Sequence, residues 1–355
     1  MAKNKPTMRD VAREAKVSPS AVWMVIHNKP GIAPETSRRI WDTVLRLGYG
    51  IRPTPLDHVA HTVGLLIEKG SIPAIMDSFY GDVISGFQSE AQRTGYHVNL
   101  VMFDRAHERL DLLKNGFTRS IAGLAVANDG DITPEMVIEL EATNLPVILI
   151  ESHLDSERLP CVLGDNFTAG YIVTQHLLSL GHRAIAVLPG PKKYSSLVDR
   201  LRGCMAAMAE AGLLIPPEWL PSPLSGHPLK GYQQMKEIIA LRHHPTAVVA
   251  ISDKTAMGAM EAIREAGLQI PDDIAIASID NIAESAYSRP PLTTVHIPKL
   301  ELGVLAFQRL HHLIASPKDI PVKNIVYSEL IVRESSGPAL HPTVVAGRST
   351  ISDQK

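Results

Sequence analysis

The sequence has little cysteine, few aromatic residues and no long apolar run. Its two cysteines, Cys161 and Cys204, lie in apolar-rich stretches, which argues against a disulfide framework and predicts two buried thiols. Aromatic residues make up only 5% of the 355 residues. No stretch reaches the roughly 18 consecutive apolar residues of a membrane-spanning helix, and no apolar core of a signal peptide follows the first residues. These absences predict a soluble, cytoplasmic protein without a membrane partner.

Motifs for cofactor, metal and catalytic chemistry are also missing. The sequence contains no G-x-x-x-x-G-K-[ST] loop, no well-placed G-x-G-x-x-G, no G-x-S-x-G elbow and no H-E-x-x-H pair. Two adjacent histidine pairs occur, His243-His244 and His311-His312. Neighbours on a helix point about 100° apart, so these pairs are expected to be surface histidines rather than chelates. We therefore expect no cofactor, no metal and no enzymatic activity.

The charge is unevenly distributed along the chain. Residues 1–60 contain ten Lys and Arg against five Asp and Glu, a net charge of +5, whereas the whole sequence is −2, so the remainder is −7. A basic segment on an acidic body is expected when only that segment meets phosphate groups. With 45% hydrophobic residues, the chain is long enough for a small head and one large or two medium domains.

The stretch from Thr7 to Gly48 contains three helical patterns. The first begins at Thr7, a favourable N-cap residue, with Asp10 as the acidic partner of a capping box. The second begins at Ser18, another N-cap residue, followed by a proline at the first helical position. Only two residues separate it from the first, which is the spacing of a helix-turn-helix. The third runs from Pro34 to Leu47 and is ended by a glycine.

The second helix presents one face suited to the major groove of DNA. The apolar side chains at positions 22, 25 and 26 cluster on one side and are expected to face the partner helices. Ser20, Met24 and His27 point the opposite way, with Trp23 on the flank, and in a helix-turn-helix this outward face enters the major groove. The alternative is a small three-helix bundle that binds a protein or has no partner.

These segments resemble a known family. T-M-R-D-V-A-R-E-A-K-V-S (Thr7 to Ser18), the helix that follows, and E-T-S-R-R-I-W-D-T-V-L-R-L-G-Y (Glu35 to Tyr49) are similar to the DNA-binding head of the lactose-repressor (LacI/GalR) family. The similarity continues through nearly the whole chain. It implies a bacterial transcription regulator, a repressor, that binds double-stranded operator DNA as a homodimer and responds to a small effector.

The second helix departs from the family pattern at three positions. Ala21 and Trp23 replace the usual threonine and serine that hold phosphates, and Met24 replaces an arginine that often reaches a base. The apolar side chains of Trp23 and Met24 are suited to pack on thymine methyl groups, so the phosphate contacts would fall to other residues. The candidate DNA-binding residues are Thr7, Ser18, Pro19, Ser20, Trp23, Met24, His27, Asn28, Lys29, Thr36, Arg38 and Leu56.

Residues 51–61 are expected to link a head of residues 1–50 to the body. In the family this linker forms a short hinge helix on DNA, and its leucine, here Leu56, wedges into the minor groove. The spacing of Leu56, Val59 and Ala60 fits such a helix, but the usual basic neighbours are missing. A hinge helix and a flexible, partly extended connector therefore both remain open.

From residue 62 onward, strand and helix patterns alternate in two successive sets. The alternation predicts an α/β body of two doubly wound parallel-sheet subdomains behind the small all-α head. The resemblance implies a periplasmic-binding-protein-like body in which the chain crosses back between the subdomains. A single strand is predicted from Ile325 to Arg333. The expected bounds are 62–340 for the body, 62–164 and 296–320 for subdomain one, 165–294 and 321–338 for subdomain two, and 339–355 for a disordered tail.

Polar residues follow several predicted strands of the body. Each alone is more typical of a helix cap or turn, but the carboxyl ends of parallel strands share one edge, where ligands bind. The resemblance implies that Arg200, in Asp199-Arg200-Leu-Arg-Gly, holds the effector and that Asp280 is its acidic partner. An ion pair of Arg200 with Asp199 or Glu210 is the alternative. The strand-end residues are Glu151, Asp165, Asn166, Ser252, Asp253 and Asp280.

The resemblance implies further contacts in the same pocket. Phe79 would stack on a ring of the effector, and Lys299 stands where the family often has an aromatic residue. An arginine fork and carboxylates around a stacking ring suit a sugar, a nucleoside or a related polyol, while the lysine would favour a more polar or anionic compound. The candidate effector-binding residues are Phe79, Glu151, Asp165, Arg200, Asp253, Asp280 and Lys299. The alternative function is a sugar-binding protein whose helix-turn-helix head has weakened operator recognition.

Overall fold

The computed structural model describes residues 6–26, 31–47, 61–68, 77–103, 117–127, 133–154, 158–223 and 230–337. The chain divides into two compact units, Met1–Val59 and Ala60–Lys355. The predictions for His27, Asn28, Lys29, Leu56, the hinge helix and the tail 339–355 lie outside the described residues.

The described part of the first unit contains three helices: α1 (Met8–Glu14), α2 (Pro19–Ile26) and α3 (Pro34–Leu47). The predicted capping box is confirmed, because the Asp10 N–H donates to Thr7 Oγ1 while the Asp10 carboxylate accepts from the Thr7 N–H at 2.8 Å. The helices pack on an apolar core, as their 3.6-residue patterns require. The core consists of Val11, Ala12, Ala15, Val22, Val25, Ile40 and Val44.

The described residues of the second unit form two sheets. The first has six strands, all paired in parallel, in the order β10-β5-β4-β3-β1-β2. Its strands are β1 (Thr62–Glu68), β2 (His97–Phe103), β3 (Leu124–Ala127), β4 (Val147–Ile150), β5 (Cys161–Gly164) and β10 (Lys323–Val326). Helices α4 (Tyr80–Arg93), α5 (Pro134–Glu141) and α10 (Lys299–Ala315) accompany this sheet. Strands β3, β4 and β5 are buried along their whole length, which explains their unbroken runs of small and branched apolar residues.

The second sheet has five strands in the order β11-β9-β8-β7-β6, and only β11 pairs antiparallel, with β9. Its strands are β6 (Ile185–Leu188), β7 (Ala247–Ala250), β8 (Ala275–Asp280), β9 (Thr293–His296) and β11 (Glu329–Ile331). Helices α6 (Asn166–Ser179), α7 (Ser195–Glu210), α8 (Lys230–Ile239) and α9 (Asp253–Glu265) accompany it. The two sheets correspond to the two sets of alternating elements in the sequence.

The chain crosses between the sheets three times, after β5, after β9 and after β10. The last crossing corrects two predictions. The expected single strand from Ile325 to Arg333 is two strands, and residues 323–326 join β5 in the first sheet rather than the second subdomain. The prediction was wrong because an edge strand shows its apolar spacing but not its partner, so the sequence cannot reveal which sheet it joins.

Helices α6 and α7 approach each other closely at two glycines. A Cβ at Gly170 would lie 1.9 Å from the carbonyl oxygen of Arg200, and a Cβ at Gly203 would lie 2.0 Å from that of Phe167. Only glycine therefore fits at these two positions. The close approach brings the first residue of α6 to the side of Arg200, where the candidate site is built. Among the described helices, none is both long and apolar enough to cross a membrane.

Candidate functional site

Arg200 lies at the centre of a buried polar cluster in the second unit. The residue is 2% exposed, and its Nε donates to Asn166 Oδ1 at 2.8 Å. Its Nη1 donates to the carbonyl oxygen of Ile251 at 3.0 Å and lies 2.7 Å from Asp280 Oδ1. One guanidinium thus joins the start of α6, the end of β7 and the end of β8.

The alternative prediction, an ion pair of Arg200 with Asp199 or Glu210, is wrong. Asp199 pairs with Arg202 at 3.0 Å, and Glu210 accepts a hydrogen bond from the hydroxyl of Tyr171. The helix turns Arg200 inward, while its neighbours at positions 199 and 202 lie nearer the surface.

Glu151 extends the cluster to the first sheet. It follows β4 and is buried, and its carboxylate accepts hydrogen bonds from the Gly164 N–H and, at 3.3 Å, from the amide of Asn166. Burial raises the pKa of Glu151, against the opposing effect of these hydrogen bonds. A continuous polar chain therefore runs from Glu151 through Asn166 and Arg200 to Asp280, and it joins strand ends of both sheets.

The backbone is strained where this chain begins and ends. Glu151 has φ 54°, Asp280 has φ 127° and Asn281 has φ 50°. Side-chain-bearing residues in this region cost about 1–3 kcal/mol each and tend to occur at functional sites. Strain at both strand ends is consistent with a site built there rather than with ordinary turns.

Lys299 holds the strained end of β8. Its Nζ donates to the carbonyl oxygens of Asp280 at 2.7 Å, Asn281 at 3.2 Å and Ile297 at 3.3 Å. An ammonium has three N–H groups, so all of them are used and none is left for an effector. Burial lowers the pKa of Lys299, and the Asp280 carboxylate opposes this effect. Lys299 was predicted to contact the effector. In the structure its ammonium instead binds the backbone at Asp280 and so positions that residue.

Asp253 is likewise occupied by the protein itself. It is fully buried and accepts hydrogen bonds from the hydroxyls of Ser278 and Thr294 and from the Ile282 N–H. Burial, followed by the nearby charge of Asp280, raises the pKa of Asp253 to about 6. Asp253 therefore ties the start of α9 to β8 and to the start of β9, and its predicted effector contact is not supported by this geometry.

Asp280 differs from Asp253 in its unused hydrogen-bonding capacity. Its Oδ1 is buried and, among the described residues, receives no correctly oriented hydrogen bond, although it lies beside Arg200. The Arg200 guanidinium balances the charge of this carboxylate, and a donor on a ligand would complete its hydrogen bonding. Asp280 and Arg200 are therefore the pair best placed to recognise an effector.

Two further effector-binding candidates are Asp165 and Phe79. Asp165 caps α6 by accepting from the Thr168 N–H at 3.1 Å, and it borders a cleft of about 210 Å³ that is also lined by Asn166 and Ser196. Phe79 is half-buried and precedes α4. Its predicted stacking on an effector remains a prediction.

The segment before Phe79 makes two polar contacts to elements of the second sheet. Asp77 forms an ion pair with Lys254 of α9. Ser78 donates to the Glu284 carboxylate at 2.6 Å. The start of α4 thus lies at the junction of the two subdomains, opposite the strand ends that carry the cluster.

Asn166 is one of the predicted strand-end residues but is not among the predicted effector-binding residues. In the structure its amide bridges Glu151 and Arg200. The available signal was its position directly after a strand, at the first turn of a helix. Its orientation toward Arg200 depends on the α6–α7 contact, which no local pattern reveals. Among the described residues, no group of three or more His, Cys, Asp or Glu side chains is arranged to hold a metal.

The first unit carries the candidate DNA-binding face. Ser18 Oγ accepts from the Ala21 N–H at 3.1 Å and so caps α2. On the outward side of α2, Ser20 is exposed, Trp23 is 43% exposed and Met24 is half-buried. The remaining candidates among the described residues are also at the surface or partly so; they are Thr7, Pro19, Thr36 and Arg38.

Two family models match the chain. Residues 7–50 match "Bacterial regulatory proteins, lacI family", and residues 174–336 match "Periplasmic binding protein-like domain". The HTH-type transcriptional repressor PurR of Escherichia fergusonii is 30% identical over 337 residues, which cover 93% of this chain and 96% of that protein. The similarity to this repressor thus extends over both the head and the body.

Solved structures give the same result for the fold. The complex of the transcriptional regulator CelR with cellobiose is 25% identical, with a TM-score of 0.73, and covers 93% of this chain and 99% of its own. A LacI family regulator from Enterococcus faecium with bound ribose is 26% identical, with a TM-score of 0.67, covering 78% of this chain and 99% of its own. The lac repressor dimer bound to operator is 22% identical, with a TM-score of 0.76, and covers 94% of this chain and all of its own. At this identity the likeness supports the fold alone.

This family consists of transcription regulators rather than enzymes. The chain combines its helix-turn-helix head with its periplasmic-binding-protein-like body of two sheets. The protein therefore belongs to the lacI family of bacterial regulatory proteins and is a DNA-binding transcription regulator.

Proposed function

We propose that the protein is a transcription repressor whose affinity for its operator is controlled by a small polar effector bound beside Arg200 and Asp280. The observation that carries this proposal is the buried polar chain from Glu151 to Asp280, which connects strand ends of both sheets. A ligand that competes for this chain changes how the two subdomains are held together. Effector binding is thereby coupled to the conformation of the body.

The effector is a sugar, a nucleoside or a related polyol. Asp280 Oδ1 offers a buried acceptor to a hydroxyl or N–H donor. The Arg200 guanidinium beside it is suited to a ligand oxygen. All three N–H groups of Lys299 are bound to backbone carbonyl oxygens, so this lysine gives no reason to expect an anionic effector. An uncharged hydroxylated compound is favoured instead. Two structural relatives carry cellobiose and ribose.

The operator is a palindrome read by two heads of a homodimer. A helix-turn-helix dimer reads two half-sites about one helical turn apart or a multiple of it. To test this, randomised double-stranded DNA is selected with the full chain, and the enriched sequence is measured by gel shift over a range of salt concentrations. We expect a two-fold symmetric sequence to bind more tightly than random DNA. Equal binding of all sequences at every salt concentration would contradict the proposal.

The effector is sought by thermal shift against sugars, nucleosides and sugar acids. A ligand at 100 times its Kd stabilises the folded protein by about 2.7 kcal/mol, so a true effector raises Tm clearly. The matched control is Asp280→Asn, which keeps the size of the side chain but removes the acceptor charge. A compound that stabilises the Asp280→Asn variant as strongly as the parent does not bind at the proposed site.

The second candidate is a small-molecule binding protein with weakened operator recognition. This function is favoured by the composition of residues 18–26, which contain no charged and no amide side chain. The two functions separate cleanly in the same experiments. A binding protein of this kind gives a ligand-dependent Tm shift but selects no DNA sequence, whereas the repressor gives both.

A further inference from the structure

Helix α2 is poor in groups that form hydrogen bonds to bases. Between residues 18 and 26, the side chains able to form such bonds are the hydroxyls of Ser18 and Ser20 and the indole N–H of Trp23. The Ser18 oxygen already accepts from the Ala21 N–H at 3.1 Å. Sequence reading in the major groove commonly rests on Arg or Lys with guanine and on Asn or Gln with adenine, and α2 supplies none of these.

The orientation of α2 is fixed by its buried face. Val22 is fully buried and Val25 is 7% exposed, and both pack into the head's core with Val11 and Ile40. The opposite side is therefore the one that faces a partner.

One row of side chains covers the outward side of α2, and a neighbouring row lies on its flank. Pro19 lies one turn before Trp23, and Ser20 lies one turn before Met24, so each pair shares a row. Pro19 and Ser20 are exposed, and Trp23 is 43% exposed. Three of these four side chains are apolar, so the face offers apolar contact far more than hydrogen bonding.

The end of the Met24 side chain lies beside Gly31. A Cβ at Gly31 would lie 3.3 Å from Met24 Cε, and Gly31 has φ 117°, a conformation that suits glycine. The thioether therefore rests against a backbone without a side chain while Met24 remains partly accessible. A flexible, polarisable side chain of this kind adapts well to an irregular apolar surface.

The exposed edges of the bases in the major groove carry one apolar group, the C5-methyl group of thymine. We propose that α2 recognises thymine methyl groups in each operator half-site, with Pro19 and Met24 as the contacting side chains and Trp23 at the edge of the groove. This inference rests on the proposed function, since it requires that the head binds an operator. Phosphate contacts supply the affinity, and the methyl contacts supply much of the sequence preference.

The test replaces thymine by uracil at each position of the selected operator, one at a time. Uracil keeps the O4 acceptor and the base pair but lacks the methyl group, so only apolar contact is removed. Loss of one buried methyl group is expected to weaken binding by about threefold to tenfold at one or two positions in each half-site. The other thymines should tolerate the replacement.

Two variants of the full chain assign the effect to α2. Met24→Ala should lose sensitivity to uracil at one of these positions, whereas Met24→Leu, which keeps an apolar side chain of similar size, should retain it. The matched control is Asp42→Asn, an exposed residue of α3 outside the candidate DNA-binding set, which should leave the uracil effects unchanged. A direct contact therefore appears as coupling between Met24 and one methyl group, which a general change in DNA stiffness does not produce.

The outcomes separate this inference from the proposed function. If an operator is selected but uracil at every thymine leaves Kd unchanged, recognition of methyl groups is refuted while the repressor function stands. If the uracil effects persist fully in Met24→Ala and in a Pro19→Ala variant, the contact does not come from α2 and the inference fails. If no DNA sequence is preferred at all, both the inference and the proposed function fail.

Discussion

The head and the body differ in how their polar groups are arranged. In the head, Thr7 and Asp10 satisfy each other three residues apart, and the outward face of α2 is largely apolar, with Trp23 exposed and Met24 half-buried. In the body, Arg200 meets Asn166, Ile251 and Asp280, which come from three other elements. The comparison teaches that a local pattern can specify a binding face, whereas a buried ligand site requires several elements to converge.

The largest effect is expected from breaking the ion pair in the body. Arg200→Ala leaves Asp280 buried without its partner, which should lower the free energy of unfolding by about 3–5 kcal/mol. Ligand-dependent Tm shifts should disappear. Urea unfolding and thermal shift with the screened effector measure the two effects.

The control for this prediction is the double variant Arg200→Met with Asp280→Asn. It removes both charges together, so most of the lost stability should return while the effector response stays absent. Operator affinity in the absence of effector should be nearly unchanged in the double variant. A normal effector response in either variant would contradict the assignment of Arg200.

The next effect concerns the close contact that places Arg200. Gly170→Ala puts a methyl group where the Arg200 carbonyl oxygen lies 1.9 Å away, so α6 must move from α7. We expect a loss of about 1–3 kcal/mol in the free energy of unfolding, as is usual for overpacking, together with weaker effector binding because Asn166 moves. Gly212→Ala is the control. Its φ is 70°, but an added Cβ would meet nothing within 4 Å, so this variant loses stability only through its backbone conformation. Equal effector binding in Gly170→Ala and the parent would show that the contact does not position the site.

A smaller effect is expected where Lys299 positions the end of β8. Lys299→Met frees the Asp280 and Asn281 carbonyl oxygens from the ammonium. Effector affinity should fall by about tenfold, equivalent to about 1.4 kcal/mol, while operator affinity without effector is retained. Lys299→Arg, which keeps the charge and donors, should recover part of the loss. Parallel losses of Tm and effector affinity, without recovery in Lys299→Arg, would indicate a purely structural role.

The smallest effect is expected in the head. Thr7→Ala removes the N-cap oxygen of α1, which is worth about 1 kcal/mol, so amide exchange in α1 should rise by about fivefold. Hydrogen exchange followed residue by residue measures this, with Ser20→Ala as the control on α2. The cluster around Arg200 should be unaffected. A large change in body stability would show that the head's polar contacts are not as local as the comparison states.

Much of the fold was predictable because its signals are local or periodic. The capping box at Thr7, the bounds of α3 and most of the strands of the body followed from spacing alone. The strand pattern near residue 325 failed because pairing of an edge strand depends on which sheet is nearby. The polar residues after the strands were found, but not which of them were already satisfied by the protein.

The sequence by itself determined the head, the basic charge of residues 1–60, the two sets of alternating elements and the lack of charged and amide side chains in residues 18–26. These features depend on neighbours within a few residues, or on sums over the chain. Only the tertiary structure decided that Lys299 and Asp253 are occupied, that Asn166 bridges Glu151 to Arg200, and that Asp280 keeps a buried acceptor open. The physical reason is that hydrogen-bond satisfaction is a property of the folded interior, where each donor meets acceptors distant in sequence.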